Sequence, residues 1–248
     1  MESVDPKYHD PVLGVVFDLD GTLVLSPHAF DRMRREVIRI AEAHGVVPGH
    51  LSIRQTIPSL LEEAAHELER SGASEGARFR FDAEAHRRMD EIEMEALEGT
   101  EVRPGAPELL SELAGRGYRI GLLTRSSATF AREALRRTGL LGMVPYIRSR
   151  SDSGPAKPDP EALLLVLRAL GVPPNRAVYV GDHLLDAECA SRARVRFYAI
   201  LPARPGELGT DVDRFKAAGA AAVAHDLAEI GRQLGVAGSA PAPSKYSA

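Results

Sequence analysis

The feature that most constrains this chain is a short apolar run, stopped at a polar or glycine-bearing turn, that recurs with helical patterns between its copies. The first copy, residues 11–17, is rich in valine and is closed by Asp18-Leu19-Asp20-Gly21-Thr22. A run of this length suits a strand buried on both faces of a parallel sheet. Residues 118–123, 177–180 and 197–201 repeat the pattern, and 220–224 is a weaker copy. Helical spacing fills 106–115, 129–138, 160–170, 184–194 and 227–234. Strands alternating with helices across short turns predict an α/β fold built on a doubly wound parallel sheet.

Residues 24–101 break that rhythm, since they hold no strand-like run and read as helices. Ser26-Pro27 has the form of an N-cap followed by a first helical residue, with Phe30, Met33, Val37 and Ile40 at helical spacing behind it. Further stripes run through Ile57, Leu60, Leu61, Ala64 and Leu68, and through Phe81, Ala85, Met89 and Ile92. The expected organisation is therefore an α/β core from residues 1–23 and 102–236, an all-helical insertion over 24–101, and a flexible tail over 237–248, where small residues, proline and serine cannot bury a core.

Composition narrows the partners. With 31 Lys and Arg against 35 Asp and Glu, the net charge of −4 argues against a nucleic-acid binder. A hydrophobic content of 44% supports a packed core, and no apolar stretch suggests a membrane span. Cys189 is the only cysteine, so no intrachain disulfide can form, and residues 1–10 carry no apolar leader segment. A cytoplasmic address is the expectation. Only Lys7, Lys157, Lys216 and Lys245 are lysines, so a lysine inside the fold stands out against the arginines.

The candidate chemistry lies where the apolar runs end, the place where open parallel sheets bind ligands. Asp18 and Asp20 close the first run, with Gly21 able to turn tightly; two solvated turn acids are the plain alternative. Thr124 closes another run before a helix, where a hydroxyl and backbone N–H groups can hold a phosphoryl oxygen or simply cap the helix. Lys157 lies in Gly154-Pro155-Ala156-Lys157-Pro158, where a compact point charge or an exposed loop lysine would both fit. Asp182 and Asp186, in Gly181-Asp182-His183-Leu184-Leu185-Asp186, share one helix face, suited to a hard cation such as Mg²⁺ or to the helix dipole. His183, without a neighbouring His or Cys, reads as a hydrogen-bonded surface residue.

Taken in order, D-x-D-G-T at 18–22, Thr124, Lys157 and G-D-x-x-x-D at 181–186 resemble the four motifs of the haloacid dehalogenase superfamily, across a core from Val12 to about Ile200. The helical stretch falls where members with a cap between the first two motifs carry it, and the chain is similar to phosphoglycolate phosphatases. The resemblance implies a Rossmann-like core and a Mg²⁺-dependent phosphomonoesterase acting on a small phosphorylated metabolite. It implies Asp18 as nucleophile and Asp20 as general acid/base. Thr124, Arg125 and Lys157 would bind the phosphoryl group, and Asp18, Asp20 and Asp182 the metal, supported by Asp186. Arg125 stands where the family often has asparagine, and His183 where it has serine or threonine. A sugar phosphomutase of the same superfamily, or a non-enzymatic module that accepts phosphate on Asp18, are the alternative functions. Carboxylates packed with a phosphate repel by about 4 kcal/mol per pair at ~4 Å in an effective dielectric near 20, so a cation and Lys157 must offset them.

Overall fold

The computed structural model describes residues 11–202 and 212–236; the tail expected over 237–248 lies outside them. The chain divides into two compact units, one spanning Ser26–Thr100 and the other formed by the segments on either side of it.

The flanking segments build a six-stranded sheet from β1 (Gly14–Phe17), β4 (Arg119–Leu123), β5 (Tyr146–Arg148), β6 (Ala177–Gly181), β7 (Arg196–Ile200) and β8 (Ala222–Ala224). Its order is β5-β4-β1-β6-β7-β8, and every neighbouring pair is parallel. Val16 pairs with Gly121 on one side and Tyr179 on the other, so β1 is central and all four of its residues are buried. That burial on both faces accounts for the unbroken apolar run in the sequence. β5 was not expected: three residues after a proline, one of them arginine, carry too little periodicity to read.

Helices α4 (Ala106–Gly115), α5 (Ala128–Arg137), α6 (Pro160–Leu170), α7 (Leu184–Ala193), α8 (Val212–Ala217) and α9 (Leu227–Gln233) accompany the strands. Among them α8, with six residues, is too short to show a helical period in the sequence. On one face of the sheet, α6 and α7 bury Leu163, Val166, Leu167, Ala187 and Cys189 with Val16, Tyr179 and Phe197. A Cβ at Gly121 would lie 2.8 Å from Val166 Cγ1, so the glycine is what lets α6 lie close on β4.

Two strands fall at the edges of the stretch expected to be helical. β2 (Val24–Leu25) and β3 (Glu101–Val102) pair antiparallel, with Val24 opposite Val102. Two residues are too short for a period, and the partners are distant in sequence, so this ribbon has no local signature.

The Ser26–Thr100 unit holds α1 (Phe30–Ala43), α2 (Ile57–Arg70) and α3 (Glu75–Glu95) around Met33, Val37, Ile40, Leu60, Leu68, Phe81, Met89 and Ile92. Thr56 and Ser74 cap α2 and α3 by accepting the N–H of Ser59 and Ala77. The start expected at Ser26-Pro27 is not used: α1 begins at Phe30, behind Ala29, which makes no side-chain cap. The Ser26 hydroxyl instead accepts a bond from Thr100 Oγ1 at 3.1 Å, which removes it as a cap. Phe30, at helical spacing with Met33, Val37 and Ile40, is half exposed and lies against His28 with ring centroids 5.2 Å apart.

Candidate active site

The sheet order places the ends of β4, β1 and β6 side by side, and with them Thr124, Asp18 and Asp182. Asp18 extends the ladder by one step, its N–H donating to Val180 O at 2.9 Å. Thr124 does the same at the next strand, donating to Arg148 O at 2.9 Å.

Gly21 turns the chain back after Asp20 with φ of +75°, a conformation glycine adopts without penalty. Space demands the same residue, since a Cβ there would lie 1.9 Å from Asp182 Oδ2. The turn and Asp182 are thus in contact, and Thr22 Oγ1 donates to Asp182 Oδ1 at 3.4 Å. Gly181 plays the matching part on the other side, where a Cβ would meet Asp186 Oδ2 at 2.5 Å.

Lys157, 4% exposed, reaches into the middle of this ring. Its Nζ donates to Asp18 Oδ1 at 2.5 Å, Asp186 Oδ1 at 2.7 Å and Tyr179 Oη at 3.0 Å, which uses all three ammonium protons. The exposed-loop alternative for Lys157 is thereby removed. The Tyr179 hydroxyl donates to Asp186 Oδ1 at 2.8 Å, and the His183 N–H donates to Asp186 Oδ2 at 3.1 Å. Both Asp186 oxygens are therefore engaged.

Asp18, Asp182 and Asp186 present carboxylate oxygens that all lie within 4.8 Å of one another. Burial pushes the Asp18 carboxyl up to about 7 against the opposing pull of Lys157, with Asp186 and Asp20 adding to the rise. Asp182 is held well above the carboxylate range by burial, Asp18 and Asp186. For Lys157, burial works against the charge, but Asp18 and Asp186 outweigh it and hold the ammonium above its ordinary value. Crowded hard-oxygen donors that resist ionising fit a divalent cation, which takes one or two carboxylates and keeps waters. Asp18 and Asp182 suit that role best, because Asp186 is committed to Lys157, Tyr179 and the start of α7. The Asp20 carboxylate is outside the three-acid group, with Ser126 Oγ donating to its Oδ2 at 3.2 Å.

Against known proteins, residues 12–194 match the family model of haloacid dehalogenase-like hydrolases. The chain belongs to this family. A phosphoglycolate phosphatase from Rhodospirillum rubrum is 31% identical over 229 residues, covering 89% of this chain and 90% of that protein. An N-acetylmuramic acid 6-phosphate phosphatase from Pseudomonas aeruginosa is 29% identical over 217 residues, covering 80% and 88%. The crystal structure of a hydrolase from Pseudomonas syringae shares the fold at a TM-score of 0.62 and 22% identity, over 92% of this chain and all of that one.

In this haloacid dehalogenase-like hydrolase, the positions that depart from the family pattern have structural work of their own. His183 is the N-cap of α7: its Nδ1 accepts the Leu185 N–H at 3.1 Å while Asp186 reaches back to the His183 N–H, a reciprocal box. Packing around the ring pushes the imidazole below its ordinary value, which keeps Nδ1 free to accept. Arg125 donates from Nη1 to Lys157 O at 2.5 Å, and its guanidinium is pushed down to about 10, chiefly by burial and then by Arg150. Arg150 in turn donates to Arg125 O at 2.9 Å, and Arg148 to Ser153 O and Pro155 O at 2.9 and 3.1 Å. Arginine forks thus tie down the loop that carries Lys157.

Thr124 is not a helix cap. Its Oγ1 accepts the Ser126 N–H at 3.0 Å, while Ser127 caps α5 by accepting from Phe130. The Thr124 hydroxyl proton remains to donate. Two participants had escaped notice in the sequence. Tyr179 sits inside an apolar strand, and its only signal is a phenol, which needs a partner, in a run buried on both faces. Ser126 is one of several small polar residues after β4, and nothing local singles it out. Within the Ser26–Thr100 unit, Arg78 pairs with Glu69 at 3.0 Å, Arg87 with Glu91 at 2.5 Å, and Arg88 with Glu36 and Glu91 at 3.2 and 2.7 Å.

Proposed function

We infer that this hydrolase is a cytoplasmic Mg²⁺-dependent phosphomonoesterase that acts on a small phosphorylated metabolite through an aspartyl-phosphate, an acyl phosphate formed on Asp18. The observation that carries the reading is the placement of the Asp18 carboxylate: at the carboxyl end of the central strand, bound by Lys157 at 2.5 Å and crowded by Asp182 and Asp186. The phosphatases among the relatives supply the reaction class.

Asp18 attacks phosphorus in line, the bond from phosphorus to the leaving oxygen breaks, and Asp20 gives that oxygen a proton. The Thr124 hydroxyl donates to the phosphoryl oxygens, with the backbone of Arg125 beside them, and the fixed charge of Lys157 stabilises them electrostatically. Asp20, now ionised, takes a proton from water as the water attacks phosphorus; the bond to Asp18 breaks and inorganic phosphate leaves. A Mg²⁺ held by Asp18 and Asp182 would neutralise charge on the phosphoryl group when bound. Asp186 serves by fixing Lys157 rather than by touching substrate. Substrate choice is assigned to the helical insertion over 24–101.

The test is phosphate release from a panel of small phosphomonoesters, with and without Mg²⁺. Wild type should turn over at least one of them only with the metal, and Asp18→Asn should release none. Turnover that survives chelation, or an active Asp18→Asn, would remove the reading.

A further inference from the structure

Arg103 is 2% exposed and follows directly on β3. Its main chain is pinned at both ends, with its N–H on Leu23 O at 2.9 Å and its carbonyl accepting from Ala106 at 3.1 Å. The guanidinium then gathers carbonyls from three separate segments. Nη1 donates to Gly21 O; Nη2 donates to Leu201 O at 2.6 Å and His225 O at 3.3 Å. Leu201 follows β7 and His225 follows β8, so one side chain ties the turn after the central strand to the ends of two strands at the sheet's edge.

The carbonyl of Gly21 is the informative contact. Gly21 lies between Asp20 and Thr22 and is the least restricted residue of the turn, so its peptide is where the turn would swivel. A planar, charged fork fixed by three acceptors holds such a peptide better than a neutral donor. Asp18 does not depend on it, because the ladder to Val180 and the ion pair with Lys157 hold Asp18 already.

We propose that Arg103 is a positioning residue: by fixing the Gly21 peptide, it sets the Asp20 carboxylate for proton transfer and leaves the nucleophile unaffected. The kinetic part rests on the phosphatase reading above, and the structural part does not.

Arg103→Gln separates the two steps through the leaving group. p-Nitrophenolate departs without a proton, whereas propanolate needs one. In the variant, kcat/KM for p-nitrophenyl phosphate should change by less than about threefold, while that for propyl phosphate falls at least ~30-fold. Hydrogen exchange of the amides of residues 19–24 should quicken in the same protein, and this readout needs no activity. Arg103→Lys, which can hold only part of the carbonyl set, should fall between the two, and it carries both measurements if the glutamine variant does not fold. Equal losses on the two esters, or unchanged exchange over 19–24, overturn the proposal. A wild type inactive on both esters with Mg²⁺ would refute the phosphatase reading, and the exchange data would then decide the Arg103 proposal alone.

Discussion

Tyr179 Oη lies 2.8 Å from Asp186 Oδ1 and 3.0 Å from Lys157 Nζ, so one phenol at the floor of the site serves a carboxylate and an ammonium together. Burial, Asp186 and Asp18 hold its proton on well above the ordinary range, which keeps it a donor. Tyr179→Phe removes a hydrogen bond to a charged group without opening a cavity, and should cost about 1.5–3 kcal/mol. Denaturant titration of the two proteins checks this, and indistinguishable midpoints would show that Asp186 has no need of the phenol.

Lys157 offers the stronger perturbation. Lys157→Met strands Asp18 and Asp186 as buried acids, and breaking a buried pair in this way costs about 3–5 kcal/mol. Phosphate release should drop at least ~100-fold, because the phosphoryl oxygens lose their fixed cation. Lys157→Arg should not restore it, since a flat fork cannot occupy a point shared by three acceptors. An arginine variant at near wild-type rate would contradict the geometry.

The acids make a prediction about pH. The folded Asp18 carboxyl sits near 7 against 3.8 for the free side chain, because burial favours its neutral form. In the metal-free protein this group therefore adds stability below about pH 4 and loses it as pH rises towards 7. A cation requires the ionised form and competes with the proton below that value. The rise in Tm produced by saturating Mg²⁺ should consequently be small at about pH 5 and several degrees larger at about pH 8. An equal rise at both would place the metal elsewhere.

His183 separates capping from chemistry. His183→Ala removes the acceptor for the Leu185 N–H and should destabilise by about 1 kcal/mol, whereas His183→Ser supplies another and should not. Thermal melts of the three proteins decide it. If alanine and serine behave alike, the ring contributes through packing instead.

Legibility followed distance along the chain. The residues that close the apolar runs, Asp18, Thr124 and Asp182, were readable because a strand's end is a local event with a composition of its own. Lys157 was noticed for its rarity among arginines, but its contact with Asp18 spans 139 positions and no local pattern encodes it. Tyr179 and Arg103 were hidden for the opposite reason: each looks like ordinary filler until the fold shows which atoms it reaches. The ribbon of β2 and β3 escaped because its partners lie on either side of the helical stretch. The start of α1 was misread because a serine followed by proline is a cap only if its hydroxyl is free.

The order β4-β1-β6 has one more consequence. Thr124, Asp18 and Asp182 become neighbours only after chain segments more than a hundred residues apart have found one another, so no early local piece of this protein can contain the site. Contacts of such long range form late and at high entropic cost. Any ion or phosphate compound that binds here therefore recognises the completed sheet alone, and its affinity reports how much of the population has finished folding.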